Sequence, residues 1–115
     1  MGLKAREVVL GALAERALTN LEHSNDPKSR SIIRRIEALR ILLLSDCLRG
    51  EVVRKGSIPR PLAELHQVEN LYVEDLPGFW RLLYSIVGNA RERFVVIVEI
   101  VDHGTYDRWF PGRGR

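Results

Sequence analysis

Polar and apolar positions change period along this chain, and the changes divide it into segments. Leu13, Ala14, Ala17, Leu18 and Leu21 recur at helical spacing, so a helix is predicted from about Gly11 onward. Ahead of it, Arg6 to Leu10 (REVVL) reads either as a short first strand or as the opening turn of that helix. Ser24-Asn25-Asp26-Pro27 stops one helix and starts another, with Asp26 as N-cap and Pro27 at the first helical position, where a missing N–H costs nothing. The second helix carries Ile32, Ile36, Leu39 and Leu43 on one stripe, widened by Ile33 and Leu44, and a helical hairpin results. Gly50 to Gln67 holds Gly50, Gly56, Pro59 and Pro61 and reads as a loop or an edge, with Glu51 to Lys55 briefly extended. From Asn70 the period becomes two. Leu71 and Val73 alternate with Tyr72 and Glu74, Leu76-Pro77-Gly78 turns the chain into Trp80 to Val87, and a second turn at Gly88 to Glu92 leads into Phe94 to Val101. That last run is apolar on both faces except for Glu99, the pattern of a central strand covered on both sides.

Three strands in meander order after two helices predict an α+β fold, with the hairpin packed on one face of a small antiparallel sheet and a possible short N-terminal strand. The length, 115 residues, suits one domain spanning 1–115, with 111–115 as a frayed tail. No run is apolar for the 18 or more residues a membrane span requires. Lys4, Arg6, Glu7 and Glu15 interrupt the N-terminal apolar positions and argue against a signal peptide, so a cytoplasmic protein without a membrane partner is expected. Cys47, the single cysteine, sits among Leu43, Leu44 and Leu48 as a small buried hydrophobe. His23, His66 and His103 are too far apart for zinc-ligand spacing, and neither metal nor cofactor is expected.

The net charge is +3, and of the 18 basic residues only Lys4, Lys28 and Lys55 are lysine. Arginine presents a planar fork of donors that matches phosphate and stacks on bases, which suits a nucleic-acid partner; a genome or growth temperature favouring arginine accounts for it equally. Arg30, Arg34, Arg35 and Arg40 form either a basic ridge or a solvated helix face.

The residues able to do chemistry fall near the end of the chain. Alternation puts Arg81, Leu83, Ser85 and Val87 on one face of their strand and Trp80, Leu82, Tyr84 and Ile86 on the other; in the last strand Val95, Ile97, Glu99, Val101 and His103 share a face. Register decides whether Arg81 and Glu99 meet, and sequence does not supply it. Cleavage of RNA through its own 2′-hydroxyl needs a base, an acid for the leaving 5′-oxygen and cations for the charge growing on phosphorus. Glu99 or Tyr106 suits the base, His103 the acid and Arg81 the phosphate clamp, with Arg54, Lys55 and Arg108 as further phosphate contacts. Structural roles compete with these: Arg81 and Glu99 as a cross-strand ion pair, His103 closing its strand, and Tyr106, Trp109 and Phe110 pinning a C-terminal turn to the sheet.

The segment NLYVEDLPGFWRLLYSIVG followed by FVVIVEIVDHGTYDRWF resembles the RelE/ParE toxin superfamily of prokaryotic toxin–antitoxin modules, closest to its archaeal RelE-like branch. The matching features are Leu76, Pro77, Trp80, Arg81, Leu82 and Tyr84 around the Leu-Pro turn, then Glu99, Asp102, His103, Tyr106 and Phe110. The resemblance implies a compact toxin neutralised by a cognate antitoxin, whose RelE-type members enter the ribosomal A site and cut mRNA by metal-free 2′-hydroxyl attack. It carries the strand arginine of the family onto Arg81 and its C-terminal histidine and tyrosine onto His103 and Tyr106; Glu99 matches a glutamate base used in some branches. Lysine-rich RelE sites do not look like this chain, which points to the acid–base variant. ParE-type relatives keep the fold and poison DNA gyrase, and an inactive toxin-like domain that binds RNA or a partner is a third possibility.

Overall fold

The structure is a computed structural model that describes residues 2–66 and 68–112. It has an α+β architecture with a five-stranded mixed, open sheet. The chain runs through β1 (Glu7–Leu10), α1 (Ala12–Ser24), α2 (Pro27–Ser45), β2 (Glu51–Val53), α3 (Arg60–His66), β3 (Leu71–Asp75), β4 (Arg81–Gly88), β5 (Arg93–Val101) and α4 (His103–Trp109). Strand order across the sheet is β1-β5-β4-β3-β2. The arginines at 113 and 115 lie outside the described residues.

The expected meander β3-β4-β5 is antiparallel, as two tight turns require. The prediction of a purely antiparallel sheet is corrected: REVVL forms a strand, and it lies parallel to β5 with Glu7 opposite Phe94 and Leu10 opposite Ile97. The Gly50 to Gln67 stretch supplies both the edge strand β2 and the seven-residue α3, which the sequence reading had as loop or edge. Pro59 and Pro61 do not forbid that helix, because they stand at its start, where the Pro59 carbonyl accepts from the N–H groups of Leu62 and Ala63.

Asp26 caps α2 as its sequence predicts, its side chain accepting from the Ser29 N–H at 2.8 Å. Ile32, Ile36, Leu39 and Leu43 are all buried, and with Ala14, Leu18 and Leu21 of α1 they cover one face of the sheet through Leu82, Tyr84, Val95, Ile97 and Ile100. Cys47 is buried in the same layer, and burial pushes its thiol pKa up. The opposite face holds a second core of Leu71, Val73, Leu83, Val98 and Val101, closed by Leu62 of α3, by Tyr106 of α4 and by Phe110, which caps the end of α4.

Tyr84 fastens the helix layer to the sheet. Its hydroxyl donates to the Cys47 carbonyl at 2.7 Å and accepts from the Gly50 N–H at 3.0 Å, and burial drives its pKa well above that of a free phenol. A Cβ at residue 50 would lie 2.7 Å from that hydroxyl, so only glycine fits there. Tyr84→Phe leaves a buried donor and acceptor unpaired; urea unfolding should register a loss of about 1–3 kcal/mol.

Candidate functional site

Register brings the singled-out residues to one end of the sheet. Arg81 opens β4 opposite Asp75 on β3 and Val101 on β5, so its side chain emerges where β5 ends and α4 begins. Leu83 is opposite Glu99 but Tyr84 is opposite Ile97, which leaves Val98 as an extra residue in β5. This bulge corrects the simple alternation drawn for the strand. Val95 and Ile97 face α1 and α2, whereas Val98 and Val101 face α4. Pairing with Leu83 and Val101 nonetheless gives Glu99 and Arg81 a common side of the ladder.

Arg81 is almost enclosed, its side chain 9% exposed. Its Nε meets the Asp75 carboxylate at 3.0 Å, its Nη1 donates to the Trp80 carbonyl at 3.1 Å, and its guanidinium lies 4.7 Å from the centre of the Tyr106 ring. Asp75 is 86% exposed, so the contact is a buried cation covered at its outer edge by a solvated carboxylate. Tyr106 is buried between this guanidinium and Phe110, whose ring centre is 4.8 Å away. Tyr106 and Phe110 do pin α4 to the sheet, and the same packing holds the phenol ring on the arginine.

His103, the first residue of α4, is about half exposed. Its Nε2 is 3.1 Å from the Asp107 carboxylate one turn along the helix, and its ring lies 5.4 Å from that of Phe79. With a carboxylate at Nε2, the nitrogen left to face a substrate is Nδ1. Phe79 is 68% exposed and has a left-handed backbone, φ 62°, next to Gly78 at φ 70°. A bulky residue in that conformation is strained by about 1–3 kcal/mol. The turn therefore holds an aromatic ring out over His103 at an energetic cost.

Glu99 goes elsewhere. Its Oε1 accepts from the Ile100 N–H at 3.0 Å, and it lines a groove between α1 and α4 that Arg81, His103 and Tyr106 do not line. Arg54 and Lys55 are exposed in the turn after β2, a turn whose Ser57 borders Trp109, Phe110 and Pro111 at the far end of α4. Arg108 is exposed on α4 and donates to the Thr105 hydroxyl at 3.1 Å. The structure thus gathers Arg81, Tyr106 and His103, adds a basic margin, and sets Glu99 in a separate concavity. Asp75, which contacts Arg81, and Phe79 and Asp107, which contact His103, were missed. Asp75 ends β3, Phe79 lies in the turn after it and Asp107 in α4, and only register or the α4 geometry defines their partners.

Asp102 fixes the start of α4, accepting from the Thr105 N–H at 2.8 Å, and that bond holds its carboxyl below the usual range. Asp26 is lowered in the same way, chiefly by the Ser29 N–H. A depressed folded-state pKa gives stability that is present above the ordinary value of 3.8 and lost as pH falls below it. Melting curves should therefore drop on acidification through that range, and less steeply in Asp26→Asn/Asp102→Asn, where both caps remain but neither titrates.

Among the described residues no three His, Cys, Asp or Glu side chains cluster as metal ligands would, and no helix is long and apolar enough to cross a membrane. Comparison of the chain with protein-family models, with curated proteins and with solved structures gives no match.

Proposed function

We propose that this chain is a toxin of the RelE/ParE kind, held in check by a cognate antitoxin in the cytoplasm, and that it cuts translated mRNA at the ribosome by metal-independent 2′-hydroxyl attack. The observation that carries the reading is the Arg81–Tyr106 stack, 4.7 Å from cation to ring centre, with exposed His103 one helical turn before Tyr106. The two consecutive N-terminal helices on one face of the β3-β4-β5 meander support it as the hairpin-backed sheet of that family.

In this mechanism the phosphate replaces the solvated Asp75 carboxylate against Arg81. One anion exchanges for another, and the guanidinium keeps its tyrosine and carbonyl contacts. His103 presents Nδ1 to the leaving 5′-oxygen, while Arg54, Lys55 and Arg108 draw the RNA along the α4 margin. Glu99 and Tyr106 remain the two candidates for the base.

A second reading, a ParE-type toxin that blocks a topoisomerase by binding alone, draws on a different feature. Arg81 is already engaged on three sides, and a binding toxin needs no guanidinium open to phosphate. Expression in cells with mapping of RNA 5′ ends separates the two. The nuclease predicts new cuts within translated messages that fall by roughly 10²–10⁴-fold in His103→Gln. Growth arrest without cuts, together with loss of supercoiling by purified gyrase, transfers the assignment to the binding toxin.

A further inference from the structure

The turn between β3 and β4 holds a strained residue whose side chain packs in neither core. The Leu76 N–H donates to the Trp80 carbonyl at 2.9 Å and closes this turn, and within it both Gly78 (φ 70°) and Phe79 (φ 62°) take the left-handed conformation. Glycine does so freely, and glycine or asparagine would also be relaxed at residue 79, where the chain carries phenylalanine. Burial does not account for that residue. Of the three phenylalanines, Phe110 is buried and Phe94 partly so, whereas Phe79 is 68% exposed and belongs to neither hydrophobic cluster. A bulky side chain held at a backbone cost, without burial in return, is the mark of a surface that meets a ligand.

The surroundings of the ring say which kind. His103 touches it with ring centres 5.4 Å apart and planes 49° apart, so the imidazole does not stack flat upon it. Lys28, exposed at the start of α2, reaches the same turn: its Cε and Nζ lie 3.1 and 3.9 Å from where a Cβ on Gly78 would stand. Arg81 follows two residues along the chain. The carboxylates nearby, Asp75 and Asp107, are directed at Arg81 and His103. An accessible aromatic face with an ammonium and an imidazole at its margins suits a nucleobase. Every base has a flat face to stack on it, and the cations lie where the phosphates of the same strand would pass.

We propose that Phe79 is the stacking platform for a nucleobase of single-stranded RNA, the base adjoining the phosphate held at Arg81 and His103. The proposal rests on the RNA-cleaving reading for the identity of the strand, but its test reads binding. It also gives the backbone a reason: the left-handed conformation carries the ring over to His103, where glycine or asparagine would leave no ring to stack on.

Two short fluorescein-labelled oligonucleotides separate base contact from charge. One is a 2′-O-methyl RNA of mixed sequence, which cannot be cleaved because its 2′-hydroxyls are blocked; the other carries the same number of phosphates on abasic residues. By fluorescence anisotropy the full-length protein is expected to bind the base-bearing strand roughly tenfold tighter than the abasic one. Phe79→Asn and Phe79→Leu should each remove most of that difference, and Phe79→Trp should keep it. The melting temperature of Phe79→Asn is expected to equal or exceed that of the wild type, since asparagine accepts the left-handed backbone and little burial is lost. Equal binding of the two strands, no saturable binding of either, a base preference that survives in the asparagine or leucine variant, or an asparagine variant that melts well below wild type overturns the proposal. Cleavage in cells combined with equal binding of the two strands removes this inference alone; a base preference lost in Phe79→Asn, without cleavage, removes the nuclease reading alone.

Discussion

Arg81→Ala is expected to lower RNA cleavage by about 10²–10³-fold while lowering stability by only about 2 kcal/mol, two effects with separate causes. The activity loss reflects removal of a preorganised donor from the charge developing at phosphorus. The stability loss comes from the Tyr106 stack, the bond to the Trp80 carbonyl and the packing of the side-chain stem. It stays moderate because the partner left behind, Asp75, already lies in water, so no charge is stranded in the interior. Arg81→Lys sharpens the test. It restores the charge without the planar fork, so cleavage should remain low while part of the melting temperature returns. A lysine variant with wild-type cleavage would show that charge alone suffices and that the stacked geometry is not used.

Tyr106→Ala should have the largest effect on stability, about 3–5 kcal/mol by denaturant unfolding, as for other buried aromatic residues cut back to alanine. Tyr106 is 2% exposed and is the residue through which α4 is held to Phe110 and Arg81. Its removal opens a cavity between the sheet and the C-terminal helix. Tyr106→Phe keeps the ring and therefore most of the packing, so it isolates the hydroxyl. Cleavage lost in a stable Phe variant assigns the base to Tyr106; cleavage kept there and lost in Glu99→Gln assigns it to Glu99. Either outcome is read beside the melting curve, since a partly unfolded protein imitates a dead enzyme.

Much of the helical layer could be read directly. The stripe Ile32, Ile36, Leu39 and Leu43 is buried as spaced, and the Asp26-Pro27 start of α2 carries the predicted cap. Such features depend on residues within a few positions of one another. β3, β4 and β5 were equally legible, and Leu82, Tyr84 and Ile86 do share the face toward the helices. The sheet's edges were less so. β1 finds its partner in β5, far along the chain, and no local pattern announces a parallel pairing over that separation. The short α3 and α4 sit in segments whose glycines and prolines, or whose brevity, mask a helical period.

For the candidate site, residue types singled out a segment near the chain's end without defining its geometry. Arg81, His103 and Tyr106 do gather where β4 begins and β5 ends, but alternation had aligned Val95 and Ile97 with Glu99 and Val101. A single extra residue at Val98 breaks that alignment. Because side-chain direction in a strand has a period of two, one inserted residue exchanges the faces for everything beyond it. Asp75 as the counter-ion of Arg81, and Phe79 beside His103, follow from cross-strand register and from an unusual backbone at a turn.

What the sequence determined by itself is the set of local commitments: where helices start, which stripe each buries, where the meander turns, and which reactive side chains the chain carries near its end. The tertiary structure alone decided that β1 returns to lie parallel to β5, that Arg81 is closed in by Asp75 and Tyr106, and that Glu99 faces two tryptophans across a separate groove. The division has one physical cause. Periodicity, capping and turn chemistry act over a handful of residues, whereas pairing register and the seating of a helix end are settled by the competition of distant surfaces for the same core.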